Sequence, residues 1–365
     1  MRPFVKDIGR CCISIAATIR DVIECINVNA LGIALVVDED GRLVNTVTDG
    51  DIRRAMLAKI DFGSTVEALL AHKKASNISS PLTAPLDTES TELLHLLNQR
   101  KLSHIPLLDE DGRVQDIALL RAFAESYDLG LQAVVMAGGF GTRLRPLTED
   151  MPKPMLPVGD RPLLQRTIEQ LRDTGIKQVN ITTHFRPEKI TEHFGSGDAF
   201  GVELNYVNEE RPLGTAGSLG LIEKSGETLL VINGDILTDI DYRAMLEFHR
   251  EGNADLTVGV RQYDVKVPYG IIESDGIEIT GIREKPEMVF FVNAGIYLVE
   301  PGVKDHIPID TSFDMTDLIE VLIENGDRVI SFPISEYWLD VGQHEDYQQA
   351  QEDVKNNVQI RNSSE

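Results

Sequence analysis

Apolar and polar positions change rhythm midway along the chain. In the first part, Ile19, Val22, Ile23 and Ile26 fall on one face of a helix, and Leu93, Leu94, Leu96 and Leu97 form a second apolar stripe. Each stripe is followed by an apolar run, then Asp-Glu-Asp-Gly, then another apolar run. The stretch Val37–Val44 thus recurs 71 residues later as Leu108–Gln115. Runs of strand length around a glycine turn predict hairpins, with Gly41 and Gly112 supplying the positive φ. A further helix is expected after the first hairpin, from about Asp51 to Lys59. Two helix–hairpin–helix copies that bury each other's apolar faces make an α+β module over residues 1–125.

Beyond Tyr127 the short runs Gln132–Met136, Gln178–Thr182 and Thr228–Ile232 read as buried strands. Between them, Pro162–Thr174 reads as a helix. Asp160 is its expected cap, Pro162 fits the first turn, Leu164, Ile168 and Leu171 share a face, and Gly175 stops it. Strand and helix alternate, so the fold class is α/β with a largely parallel sheet over residues 131–357. The boundary is expected near Ser126–Leu131. A last helix begins near Asp346, and residues 358–365 form a polar tail.

A length of 365 residues suits two domains. No apolar run reaches the roughly 18 residues of a membrane span, and Met1–Arg20 lacks the apolar core of a secretory signal. Cys11, Cys12 and Cys25 are odd in number, lack Cys-x-x-Cys spacing, and are expected as reduced thiols of a cytoplasmic protein. The net charge of −24 repels nucleic acid and anionic membranes, which excludes both as partners. A phosphate substrate then needs a local basic cluster.

That cluster exists. The strand ending at Met136 runs into Ala137-Gly138-Gly139-Phe140-Gly141-Thr142-Arg143, where bare glycines let backbone N–H groups approach an anion. The spacing fits neither a dinucleotide fingerprint nor a Walker loop. Arg143, Arg145 and Lys153 follow closely, stiffened by Pro146, Pro152, Pro154 and Pro157. Each cation about 4 Å from a phosphate oxygen contributes on the order of 4 kcal/mol at an effective dielectric near 20. Alone, the loop also reads as a structural turn and the basic run as a solvated surface. Asp235, in Asn-Gly-Asp-Ile past an apolar strand, and Asp340, in Tyr-Trp-Leu-Asp-Val-Gly, are placed to hold a hard cation. Each also reads as a turn aspartate.

Met136–Thr148 with Pro152–Val158 closely resembles the signature of the sugar-1-phosphate nucleotidylyltransferases, and the resemblance covers about Leu131–Asn357. It implies a Rossmann-like nucleotidyltransferase domain with a mixed, mostly parallel sheet. Ala137, Gly138, Gly139, Gly141 and Thr142 would hold the nucleoside triphosphate with Arg143, and Lys153 would reach the reacting phosphates. Asp235 and Asp340 would hold Mg2+. In Glu284-Lys285-Pro286, Glu284 would bind sugar hydroxyls and Lys285 the 1-phosphate. Tyr269-Gly270 and Asn293-Ala-Gly-Ile-Tyr297 would line the sugar pocket, through Gly270 and Asn293. The segment Pro212–Ser218, with Gly214 and Thr215 on the nucleotide, resembles the guanylyltransferase form and implies GTP. The module in front is similar to that of guanylyltransferases that activate glucosamine 1-phosphate for nonulosonic (legionaminic-type) surface glycans. Mannose and heptose 1-phosphates stay open.

The repeat at 1–125 resembles a pair of cystathionine-β-synthase-type (CBS) domains. That implies a regulatory adenine nucleotide with Thr48 and Asp51 on its ribose and phosphate. The second copy has Ile117-Ala118-Leu119-Leu120-Arg121 there and lacks both groups, so one such site is expected at most. A packing and dimerisation module without ligand is the alternative, and a homo-oligomer is expected in either case. A sugar 1-phosphate is already mostly dianionic at neutral pH, so the chemistry is positioning and charge neutralisation by Arg143, Lys153, Lys285 and Mg2+. A nucleotide-sensing regulator without catalysis is the reading of another class. The complete set Arg143, Lys153, Asp235, Lys285 and Asp340 argues for the enzyme.

Overall fold

Residues 7–74, 80–100, 102–123, 129–223 and 225–356 are described by the structure, a computed structural model. The tail expected at 358–365 lies outside them, as do residues 126–128 of the expected boundary. By their internal contacts the residues form two units: Met1–Asp128 with Tyr242–Asn253, and Leu129–Asp241 with Ala254–Glu365.

In the first unit the repeat is a repeat of topology. Its first half runs β1 (Cys12–Ser14), α1 (Ile19–Asn29), β2 (Ile33–Val37), β3 (Leu43–Thr48), α2 (Asp49–Leu57) and α3 (Val66–Lys74). Its second half runs β4 (Ala84–Pro85), α4 (Ser90–Arg100), β5 (His104–Leu108) and β6 (Val114–Leu119). Each half has a three-stranded sheet with one parallel and one antiparallel pair. Helix α1 starts in a capping box of Thr18 and Asp21 and buries Ile19, Val22 and Ile26 as the spacing predicts. In α4, Leu93 and Leu97 are buried. Gly41 and Gly112 take φ of 78° and 79° in the two hairpin turns. These turns dock reciprocally: Arg42 Nε donates to the Asp111 carbonyl (3.2 Å) and Arg113 Nε to the Asp40 carbonyl (3.0 Å). Beneath them Ile33, Leu35, Val114 and Ile117 share one apolar cluster.

The second unit begins with β7 (Leu131–Met136), then the glycine loop, the short pair β8 (Pro157–Val158) and β9 (Arg161–Pro162), and α5 (Leu163–Thr174). Next come β10 (Gln178–Thr183), α6 (Pro187–Phe194), β11 (Glu203–Asn208), the single turn α7 (Gly214–Gly217), β12 (Thr228–Asn233) and β13 (Ile236–Thr238). Helix α8 (Tyr242–Glu251) belongs to the first unit. The chain continues through β14 (Leu256–Lys266), the hairpin β15 (Ile271–Asp275) and β16 (Glu278–Arg283), and β17 (Glu287–Val299). It ends with α9 (Met315–Asn325), β18 (Val329–Pro333), β19 (Trp338–Asp340) and α10 (His344–Lys355).

Seven strands form the central sheet in the order β11-β10-β7-β12-β17-β14-β18. All neighbours are parallel except at β17, which runs antiparallel to β12 and β14. The mixed, mostly parallel α/β fold is therefore present. Val134, Val231, Leu256 and Val299 of the sheet pack with Leu318 and Leu322 of α9 in one apolar cluster. One expectation fails. Asp160 does not cap α5, whose N-cap is Pro162 with no side-chain bond. Asp160 instead pairs with Arg161 (2.7 Å) and Arg166 (2.9 Å), cations that compete for the same carboxylate. Gly175 ends the helix at φ 102° as expected.

Candidate active site

From β7 the chain passes to β10 on one side and later returns to β12 on the other. Open α/β sheets hold ligands at such a reversal, outside the carboxyl ends of the strands. A cleft of about 270 Å³ lies there, lined by strand-end residues Met136, Thr182 and Asn233, by Gly138 and Gly139, and by Lys153 and Asp235. Glu209, Gly214, Thr215, Ser218 and Asp314 are also in its wall.

Steric room explains the glycines. A Cβ on Gly138 would sit 3.0 Å from Glu209 Oε1, whereas one on Gly139 would meet nothing within 4 Å, so the chain at 139 is open to a ligand. Gly141 has φ 61°, and a Cβ there would press on Thr148 (3.0 Å) and Lys153 (3.1 Å). Its carbonyl accepts the Thr148 hydroxyl at 2.7 Å, which ties the loop to the basic segment. Ala137 is buried and its N–H donates to the Thr182 carbonyl, so that donor serves the sheet and not a phosphate. Thr142 and Arg143 are exposed on the short turn that follows.

Three stretches far apart in sequence converge on one charge cluster. Strand β13 pairs with β19 so that Ile236 faces Asp340, and the Asp235 carbonyl accepts the Val341 N–H at 3.0 Å. Val158, Leu237, Val341 and Ala350 pack in one cluster that holds the basic segment, the ribbon and α10 together. Lys153, only 8% exposed, then reaches Asp235 Oδ2 at 2.5 Å and Asp340 Oδ1 at 3.9 Å. Burial pushes the Asp340 carboxyl up and Asp235 adds to this, against Lys153 and Arg143, which pull it down. A Cβ on Gly342 would lie 3.5 Å from Arg143 Nη1 and 3.6 Å from Asp340 Oδ1, so the guanidinium borders the same carboxylate.

Asp340 Oδ1 is buried with no hydrogen-bond partner among the described residues. A buried orphan acceptor beside a second carboxylate fits a hard cation. Among the described residues no three His, Cys, Asp or Glu gather as a metal cage. Two carboxylates suffice for Mg2+, which keeps waters and takes its remaining oxygens from substrate phosphates.

The far wall is built from the segment around Gly214, where φ is 77° and a Cβ would lie 2.7 Å from the Phe313 carbonyl oxygen. The Phe313 carbonyl accepts the N–H groups of Ala216 and Gly217. Asp314 caps α9 and also accepts the Thr215 N–H at 2.9 Å. The Thr215 hydroxyl is engaged by Asp314 and by the Met315 N–H, so Thr215 shapes the wall through protein contacts. Glu209, 7% exposed, accepts the Leu213 N–H at 3.0 Å through Oε2. Five wall residues escaped the sequence reading as site residues: Thr182, Glu209, Ser218, Asn233 and Asp314. Only Asp314 left a signal, the Asp-x-x-Asp spacing before an apolar run that marks a helix start.

The expected sugar residues stand apart from this lining. Gly270 and Glu284 do meet, since a Cβ on Gly270 would lie 2.9 Å from Glu284 Oε2. Glu284 and Lys285 are exposed beside the β15–β16 hairpin, Lys285 with φ 42°. Asn293 Oδ1 accepts the Gly295 N–H at 3.0 Å.

In the first unit Thr48 and Asp51 do lie together, but as the capping box of α2. Asp51 is 3% exposed and pairs with Lys73 through Oδ2 and with Arg54 through Oδ1, each at 2.7 Å. Both oxygens are engaged by cations inside the unit. A short capped helix start generates the same Thr-x-x-Asp spacing without a ligand.

Against known families, residues 132–357 match the model described as nucleotidyl transferase, and residues 5–58 match that of the CBS domain. A mannose-1-phosphate guanylyltransferase of Mycobacterium tuberculosis is 34% identical over 231 residues, covering 61% of this chain and 64% of its own. A mannose-1-phosphate guanyltransferase of Debaryomyces hansenii is 34% identical over 60% of this chain and 62% of its own. The chain thus spans a little under two thirds of the length of these relatives. A Bacillus anthracis protein described as a glucose-1-phosphate thymidylyltransferase superposes with a TM-score of 0.53 at 25% identity, covering 64% of this chain and 98% of that one. With more than half of its residues in the first match, the chain belongs to the nucleotidyl transferase family and carries a CBS domain ahead of that fold.

Proposed function

We propose that this chain is a sugar-1-phosphate guanylyltransferase, which moves GMP from GTP onto a sugar 1-phosphate and releases pyrophosphate. The observation that carries the reading is the convergence of Lys153, Asp235 and Asp340 beside the open chain at Gly139. The sugar phosphate oxygen attacks the α-phosphorus, and the bond to the pyrophosphate oxygen breaks. No proton must be moved, because the nucleophile is already an anion. The work left to the protein is bringing two anions together, and Lys153 and Arg143 offset their repulsion. Mg2+ held by Asp235 and Asp340 supplies further charge neutralisation on the phosphates. Lys285, Glu284, Gly270 and Asn293 take the sugar 1-phosphate.

GTP is favoured because the cleft carries a buried carboxylate, Glu209, beside Gly138 of the glycine loop. Guanine presents N–H donors at N1 and N2 that such an acceptor binds, whereas adenine has no donor at those places. The curated relatives are named for mannose 1-phosphate, which supports that sugar beside glucosamine 1-phosphate. A matrix of nucleoside triphosphates against mannose, glucosamine, glucose and heptose 1-phosphates with Mg2+, read by pyrophosphate release, tests the proposal. Turnover with GTP and one of these sugars is expected. Silence across the matrix would leave the nucleotide-sensor reading standing.

A further inference from the structure

Two polar side-chain atoms in the cleft wall are buried with no hydrogen-bond partner among the described residues: Ser218 Oγ and Asn233 Oδ1. Buried polar atoms are nearly always paired, so an orphan in a cleft wall marks where a ligand completes the bonding. Asn233 can be placed more closely than Ser218. It ends β12 opposite Met136, two residues before Asp235, so its Cα lies within about 7 Å of the Cα of that metal-site aspartate. Its other amide atom rests on Gly295. A Cβ at 295 would lie 2.6 Å from Asn233 Nδ2, so the glycine makes room for the amide and fixes its direction. Asn233 thus stands between the site that takes the phosphates and the Asn293–Tyr297 segment.

On this basis we propose that Asn233 reads the substituent at C2 of the sugar. This rests on the guanylyltransferase reading. The group nearest the anomeric phosphate that can donate a hydrogen bond is the one on C2; the ring oxygen only accepts. An amide oxygen accepts from a C2 hydroxyl or a C2 ammonium and gains nothing from a C2 methylene. The site therefore takes 2-hydroxy and 2-amino sugars and disfavours 2-deoxy sugars.

The test crosses the side chain with the substituent. With GTP, kcat/KM is measured for glucose 1-phosphate, glucosamine 1-phosphate and 2-deoxyglucose 1-phosphate, which differ only at C2. The wild-type protein is expected to favour the better of the first two over the 2-deoxy sugar by about tenfold or more. In Asn233→Ala that preference collapses to within about threefold, while KM for GTP and the thermal midpoint stay close to wild type. Asn233→Asp keeps an oxygen and adds a charge, and shifts the ratio of glucosamine to glucose 1-phosphate upward. Full 2-deoxy discrimination in Asn233→Ala, or an unchanged ratio in Asn233→Asp, overturns the assignment. Absence of turnover by the wild type with every sugar 1-phosphate instead removes the guanylyltransferase reading, and this one with it.

Discussion

Asp235 and Asp340 lie one step apart across the β13–β19 ribbon: Asp340 pairs with Ile236, and the Asp235 carbonyl accepts the N–H of Val341. The ribbon fixes both carboxylates against Lys153 although 105 positions of chain separate them. Replacing either by asparagine keeps its shape and removes its charge. Asp235→Asn and Asp340→Asn are each expected to lower turnover about 100-fold or more, the scale of losing one preorganised charge at a reacting phosphate. Circular dichroism and the thermal midpoint should stay near wild type. Rates close to wild type in both variants would remove the metal assignment.

Gly214 is held at φ 77° with the Phe313 carbonyl and Asp314 where a side chain would grow. Gly214→Ala meets both obstacles. It is expected to cost about 1–3 kcal/mol of stability through backbone strain and to raise KM for GTP more than KM for the sugar phosphate. Denaturant unfolding and steady-state kinetics on the same sample check this. Gly139→Ala, with open space and no positive φ, is the control for stability, since its Cβ meets nothing within 4 Å.

On the guanylyltransferase reading, the charge of Glu209 would set base choice. Glu209→Gln replaces one acceptor by an amide that presents donors of its own. A hydrogen bond to a charged group contributes about 1.5–3 kcal/mol, so kcat/KM with GTP should fall by roughly 10- to 100-fold. Values for other nucleoside triphosphates should change much less. An equal fall with all of them would place Glu209 in wall structure alone, through its bond to the Leu213 N–H.

How far the chain could be read in advance follows from the range of each interaction. The repeat was legible because Gly41, Gly112 and the helix stripes are local signals, and the hairpins stand where those signals put them. The loop after β7 was legible because its glycines and prolines answer to backbone geometry. Asp160 shows the limit of a local signal, because the guanidinium of Arg166, six residues on, competes for the carboxylate that capping would need. Glu209 carries no local mark, and Ser218 and Asn233 stand in segments that mark only their neighbours. Their place in the site depends on which strands adjoin β7, a tertiary fact. Thr48 and Asp51 show the converse, since a motif with a ligand meaning is also an ordinary helix start.

That last pair leads to a prediction in the first unit. Burial pushes the Asp51 carboxyl up, but Lys73 and Arg54 outweigh it and hold the group below the usual carboxylate range. A carboxyl depressed by folding stabilises the native state above its unfolded value near 3.9. That stability is lost as pH falls through the lower folded value, where the native state too must take up the proton. Unfolding followed from pH 7 down to pH 3 should therefore show a loss that steepens below about pH 4. Asp51→Asn should remove this part of the slope. At neutral pH it should lower stability by about 3–5 kcal/mol, because the buried Lys73 loses the charge that offsets its own, while Arg54 keeps its pair with Glu251 (2.9 Å). Lys73 is buried nearly as deeply as Asp51 and also donates to the Thr46 carbonyl at 2.9 Å, so it cannot swing out to water cheaply. Were Asp51 mainly a ribose ligand, Asp51→Asn would leave the midpoint and its pH dependence unchanged, and would show only in nucleotide binding followed by calorimetry.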